Sequence, residues 1–239
     1  MVLQALLHPD DYFAGRSPSL GRAFAVVLVV ALITTTAVGA FGWLLSERIT
    51  ATTEIPNQER PPDWVCDGES DTEAESMMRE NCDEPKTKTV QVGDLIWKAF
   101  GEKLPLLFVG SLLAWPLYAA GLHVASAVVG GRGSFLDTLA VTAWGIAPNA
   151  LQAVVGLGLL VVSLDGLDLS GSNPEMLASQ VQSLTVRARG GTTAVKVAGA
   201  CWQGYVWTFG LKHARDLRTG EAAIAGGGIA LVALLFSFA

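Results

Sequence analysis

The side chains of this sequence that could do chemistry fall into three groups. The first is its thiols: Cys66 and Cys82 share one polar stretch, and Cys201 stands apart in an apolar run. Two thiols with neither a CxxC spacing nor a nearby histidine make a poor zinc set. Closing a loop of about 15 residues with a disulfide stabilises it by ~3 kcal/mol in the chain-entropy model, and such bonds persist on the oxidising side of a membrane. A Cys66–Cys82 disulfide is expected, with Cys201 a small buried hydrophobe.

The second group is His123, Asn149, Gln152 and Gln203, polar residues set inside apolar runs. Ionisable groups within a bilayer mark proton or ion paths, yet His123 has no evident charged partner at its depth. With the spans placed at equal depth, Asn149, Gln152 and Gln203 lie nearer the midplane than His123. The four read first as interhelical hydrogen-bonding groups worth ~0.6 kcal/mol per contact and second as the lining of a permeation path. The third group, Lys212, Arg215 and Arg218 with His213, is expected at anionic lipid headgroups, worth ~1 kcal/mol for each basic residue near the surface. Asp10 and Asp11 could bind a cation, yet two adjacent carboxylates read first as charges at a helix start.

Signatures of catalysis are missing from the chain: no GxSxG elbow, HExxH helix, GxxxxGK[ST] loop or intramembrane carboxylate pair occurs. Gly130-Gly131-Arg132-Gly133 does not follow a strand, so it reads as a tight helical hairpin rather than a phosphate cradle. No catalytic residue, metal ligand or cofactor is expected.

The elements that carry these groups are apolar. Half of the residues are hydrophobic and few are charged, and a run of ~20 apolar residues crosses a hydrocarbon core of ~30 Å. Five spans are expected, at about 23–45, 104–129, 139–164, 195–211 and 222–238. Pro116 should kink the second, and Pro148 interrupts the third. Short interfacial helices are expected at 1–15, 93–103 and 174–186, with a further helix at DTEAESMMREN and a helix start at Ser17-Pro18. Ala37-Val38-Gly39 imitates a signal-peptidase site, but apolar residues continue beyond it, so a retained anchor is expected. Trp43, Trp97, Trp115, Trp144, Trp202 and Trp207 read mostly as interface anchors. Ala222, Gly226 and Ala230 offer a small-residue face for close helix contact, while Gly226-Gly227-Gly228 reads equally as a run that loosens the helix.

The fold class is thus an all-α polytopic membrane bundle. Residues 1–22 form a cytoplasmic interfacial segment, 23–45 and 104–239 the transmembrane domain, and 46–103 an acidic extracytoplasmic insert. The net charge of −6 resides mostly in that insert, which repels nucleic acid and is compatible with a salt-loving organism. Basic residues in the short loops place the N-terminus in the cytoplasm and the C-terminus outside.

Three stretches carry a family likeness. LLHPDDYFA, with Pro9, Tyr12 and Phe13, is similar to the opening motif of the YIP (Ypt-interacting protein) domain family. GGRGSFLDTLAVTAWGIAP resembles that family's central loop and third span through Gly133, Ser134, Phe135, Thr138 and Pro148, and VWTFGLKHARDLRTGEAA resembles the end of span four and the loop after it. The resemblance implies five spans with a cytoplasmic N-terminus. It further implies a non-enzymatic protein of a prokaryotic, archaeal-type cell membrane that organises lipids, other membrane proteins or copies of itself. The insert is longer than the family's usual loop, and the large N-terminal region with which eukaryotic members engage Rab-type GTPases is not seen, so GTPase binding is not carried over.

Overall fold

The computed structural model describes residues 2–15, 19–67, 81–164 and 174–238. Two short helices, α1 (Val2–Leu7) and α2 (Pro9–Ala14), precede α3 (Leu20–Arg48). The insert holds β1 (Thr52–Pro56), α4 (Asp63–Cys66) and β2 (Thr87–Gln91). Then follow α5 (Val92–Val128), α6 (Phe135–Ile146), α7 (Pro148–Leu164), α8 (Pro174–Ala214) and α9 (Thr219–Phe236). Four stretches are long and apolar enough to cross a membrane among the described residues: Leu20–Arg48, Val92–Val128, Phe135–Leu164 and Thr219–Phe236. The fifth expected span, at 195–211, is not among them. It forms the C-terminal part of α8, where Lys196, Gln203 and several aromatics dilute the apolar character, and where Val206, Trp207 and Leu211 are fully buried.

Two expected surface helices are not separate elements. The stretch 93–103 is the start of α5, which runs on through Pro105 and Pro116 as one helix. The stretch 174–186 opens α8, which continues through Gly190 and Gly191. Apolar patterning marks which face of a helix is greasy but not where the helix leaves the membrane, and a bilayer tolerates interior prolines where neighbours satisfy the freed carbonyls. Pro148 does divide the third expected span: α6 stops at Ile146, and Pro148 occupies the first position of α7, where its missing N–H costs nothing. Ser17 and Pro18, Asn173 and the stretch DTEAESMMREN apart from Asn81 lie outside the described residues, and the residue that caps α3 is Ser19.

The insert departs from an all-helical chain. β1 and β2 pair antiparallel, from Thr52 opposite Gln91 to Pro56 opposite Thr87, a pairing hidden from local reading because the connection between the strands is long. Cys66 and Cys82 form a disulfide with Cα atoms 5.6 Å apart, and the Arg60 guanidinium donates to the carbonyls of Cys82 and Glu84 at 2.6 Å each. Ile49 and Ala51 pack with Leu164, Val92 and Ile96, which seats the hairpin on one end of the bundle.

At the other end, α6 begins at a capped turn. The Ser134 hydroxyl accepts from the Asp137 N–H at 3.1 Å and donates to the Asp137 carboxylate at 2.6 Å, which satisfies an N–H that the helix start would otherwise orphan. Between these ends lies a core of Val30, Leu122, Ile146, Trp207, Leu211 and Ala225. Ala222, Ala225, Gly226 and Ala230 are buried on one face of α9, and this small-residue face lies close against α8 at Gly204, Trp207 and Thr208.

Candidate functional site

The polar groups of the bundle assemble at two levels. The first is the loop between α5 and α6. Gly130 and Gly133 both take positive φ there, a backbone that side chains resist. Around this loop is wrapped Arg215, which is only 3 % exposed. Its Nε donates to Ser126 Oγ at 3.1 Å, one terminal nitrogen to the Gly131 carbonyl at 3.1 Å, and the other to the Gly133 carbonyl. The Arg132 N–H returns a bond to the Arg215 carbonyl at 2.8 Å. Arg215 is therefore not at a lipid headgroup as its position in a basic cluster suggests: a fork of donors beside three acceptors is used internally. Of the other two residues of that cluster, Arg218 caps α9, its N–H bonded to Glu221 at 3.0 Å. Lys212 reaches the N-terminal segment.

That segment is docked rather than lying free on a surface. Lys212 Nζ sits 2.7 Å and 3.0 Å from the two Asp10 carboxylate oxygens, and His213 Nε2 lies 2.6 Å from the nearer one. The Trp202 indole N–H donates to the Leu6 carbonyl at 2.9 Å. Pro9, Tyr12 and Phe13 are buried, with the Tyr12 ring edge-on to Trp144 at 5.2 Å. Hydrogen bonds from Lys212 and then His213 hold the Asp10 carboxyl below its ordinary value of 3.8. Because the folded value is depressed, the contribution of Asp10 is complete above the ordinary carboxylate range and is lost as pH falls through the depressed value. Protection of residues 2–14 from amide exchange should drop at that acidic step. Asp10→Asn should show the lower protection already at neutral pH, with no acidic step left. High salt should shrink the difference, since the carboxylate is partly exposed.

The second level lies deeper. Asn149, Gln152 and Gln203 line one cavity of about 260 Å³, joined by Lys196. Gln152 Nε2 donates to Asn149 Oδ1 at 3.0 Å. A further cavity of about 380 Å³ shares Asn149, Gln152 and Lys196 and is walled by Val27, Ala31 and Ala153. His123 is not part of this group. Its Nδ1 lies 3.1 Å from Thr138 Oγ1, and its ring meets Phe135 edge-on at 5.5 Å, so two of the family-motif residues hold it beside the α5–α6 loop. Lys196 escapes a reading of spans because it stands at a span's edge, yet it precedes Gln203 by two helical turns on one face, with Gly199 between them.

The tryptophans divide in a way their positions do not disclose. Trp115 donates to the Leu139 carbonyl at 2.8 Å and Trp207 to the Thr142 carbonyl at 3.1 Å, and Trp144 is buried against Tyr12. With Trp202 these are struts between elements, not interface anchors; Trp43 and Trp97 are exposed. Cys201, expected inside, is exposed. Trp64, on α4 of the insert, carries no reading from sequence and is the most exposed tryptophan.

Comparison with known proteins adds a relative and a family. A stretch of 48 residues, 20 % of this chain, is 38 % identical to an uncharacterized protein of Methanocaldococcus jannaschii, of which the match spans 34 %. No solved structure matches. The family model described as Yip1 domain matches residues 3–239, which include the docked N-terminal motif, the capped α5–α6 loop and the small-residue face of α9; the chain belongs to the Yip1 domain family.

Proposed function

We propose that this membrane protein is a non-enzymatic scaffold or adaptor that organises lipids, other membrane proteins or copies of itself in the cell membrane. The observation that carries this reading is the packed interior between the two polar levels. Trp207, Leu122, Leu211 and Val206 are fully buried there, so large apolar side chains are packed between the deeper cavity and the α5–α6 loop. In this reading 195–211 is the fifth span, its lower hydropathy tolerated because α6, α7 and α9 cover it. The N-terminus and the Arg215 loop face the cytoplasm, and the insert and C-terminus face outward.

Photo-crosslinking in intact cells from Leu113, exposed on α5, should trap a discrete adduct that is lost when the exposed Leu117 and Val124 of the same helix are made polar. Monomer alone, with no specific protein or lipid bound, would sink the scaffold. The alternative of a small permease or channel component draws on Asn149, Gln152 and Gln203 at one cavity; solute flux in proteoliposomes abolished by Gln152→Ala would establish it. For orientation, Cys66 should react with an impermeant thiol reagent outside intact, reduced cells in a Cys201→Ser background, and labelling confined to lysed cells would invert the topology.

A further inference from the structure

The cavity shared by Gln152, Gln203 and Lys196 brings two amides and an ammonium together. Gln203 is 5 % exposed, and its Nε2 finds no hydrogen-bond partner among the described residues. Lys196 Nζ donates to the Ser237 carbonyl at 2.7 Å and lies 5.0 Å over the Phe238 ring, which leaves N–H groups of its ammonium unspent among the described residues, since an ammonium carries three. The Gln152 amide, one of whose hydrogens goes to Asn149, has another. A glycine opposite makes this arrangement possible: a Cβ on Gly199 would sit 2.0 Å from Gln152 Cδ, so only the bare backbone there admits the side chain. A buried donor such as Gln203 Nε2 left without an acceptor costs free energy, and the group that would satisfy it together with the half-buried Gln152 and Lys196 is acceptor-rich and negatively charged.

Depth adds a second constraint. Lys196 is about 27 Å from the Ala214 end of α8, and Ser237 about 27 Å from the Thr219 end of α9, at ~1.5 Å per residue. Both lie close to the far edge of a hydrocarbon core that begins at the α5–α6 loop and is ~30 Å thick. The larger cavity continues along Val27, Ala31 and Ala153, an apolar wall of the kind that takes hydrocarbon while a few placed polar groups fix the head. A free ion would use the donors and leave this wall empty.

We propose that these cavities bind one anionic amphiphile, a lipid whose phosphate or carboxylate oxygens sit among Lys196, Gln203 and Gln152 and whose chain lies along Val27 and Ala153. This goes beyond the scaffold reading and rests only on the helices spanning a bilayer, so crosslinking results leave it untouched. The full chain, reconstituted in vesicles of equal phosphatidylglycerol and phosphatidylcholine and extracted in mild detergent, should retain one phosphatidylglycerol by native mass spectrometry. The expected preference over phosphatidylcholine is about tenfold, the size of one charge-assisted hydrogen bond. Lys196→Met and, separately, Gln203→Leu should bring the preference near unity, while Lys88→Gln, an exposed lysine of the insert, should leave it. Gln203→Leu keeps volume in place of the unpaired amide and folds even where Lys196→Met does not. Equal retention of both lipids, or a preference that survives both cavity substitutions, overturns the proposal. So does displacement of the lipid by excess inorganic phosphate, which would make the site one for a free anion.

Discussion

Replacing Arg215 with methionine is expected to cost the bundle about 3 kcal/mol or more, a loss set by the internal hydrogen bonds of a buried guanidinium rather than by a missing surface charge. The guanidinium serves Ser126 Oγ and the carbonyls of Gly131 and Gly133 together. Methionine fills part of the space but leaves the fully buried Ser126 hydroxyl facing an apolar chain and removes the tie to the Gly131 and Gly133 carbonyls that holds the loop. Arg215→Lys should be intermediate, because an ammonium is a point charge that cannot span three acceptors in a fork. Arg132→Met is the internal control: its side chain is exposed, and only its backbone N–H enters the network. The midpoint of SDS-induced unfolding in mixed micelles should fall in the order Arg132→Met, Arg215→Lys, Arg215→Met. An Arg215→Met protein with the midpoint of the original chain would show that the loop is held by its glycine turns alone.

Arg215 also shows what kind of information the sequence withheld. A cluster of Lys212, His213, Arg215 and Arg218 reads as a charged helix end near headgroups, and nothing local distinguishes the residue that turns inward. Its partners lie in a loop more than eighty positions earlier, so the burial is set by tertiary packing. The same applies to the β hairpin, whose strands are short and whose register is fixed across the disulfide-bearing connection. α3, α9 and the break at Pro148 were legible because their signals are local: a long apolar run, a small-residue spacing, a proline at a first helical position. The full lengths of α5 and α8 were not legible, since a helix that leaves the bilayer changes composition without changing its backbone.

The deeper polar cavity was legible in part for the same reason. Equal placement of spans is enough to bring Asn149, Gln152 and Gln203 to one depth and to set His123 apart. Lys196 belongs with them, but a span counted from Val195 places it at the boundary, and only the continuity of α8 past Gly191 brings it among helices. The docked N-terminal segment is a further case. Its proline and aromatics resemble the family's opening motif, and their physical use is burial against Trp144 and Val206, which an interfacial helix would not provide.

Trp207→Ala is expected to be among the most damaging single substitutions in the chain, at roughly 3 kcal/mol, within the usual cost of removing a buried tryptophan. The indole is completely buried, stacks at an angle on Tyr118 with ring centroids 5.6 Å apart, and donates to the Thr142 carbonyl, so one side chain joins α5, α6 and α8. In a bilayer the transfer part of the penalty shrinks, because lipid tails are as apolar as the core; the cavity and the lost dispersion contacts remain. Trp207→Phe keeps most of the volume and gives up the N–H, and should cost about 1 kcal/mol. Trp43→Ala separates packing from anchoring, since Trp43 is 53 % exposed and contributes through the interface if at all. If tryptophans act here as anchors, the Trp43 and Trp207 substitutions should lower the SDS midpoint alike. With Trp207 as a strut, Trp43→Ala leaves the midpoint near that of the original chain, Trp207→Phe lowers it modestly, and Trp207→Ala lowers it most because three helices lose their common contact at once.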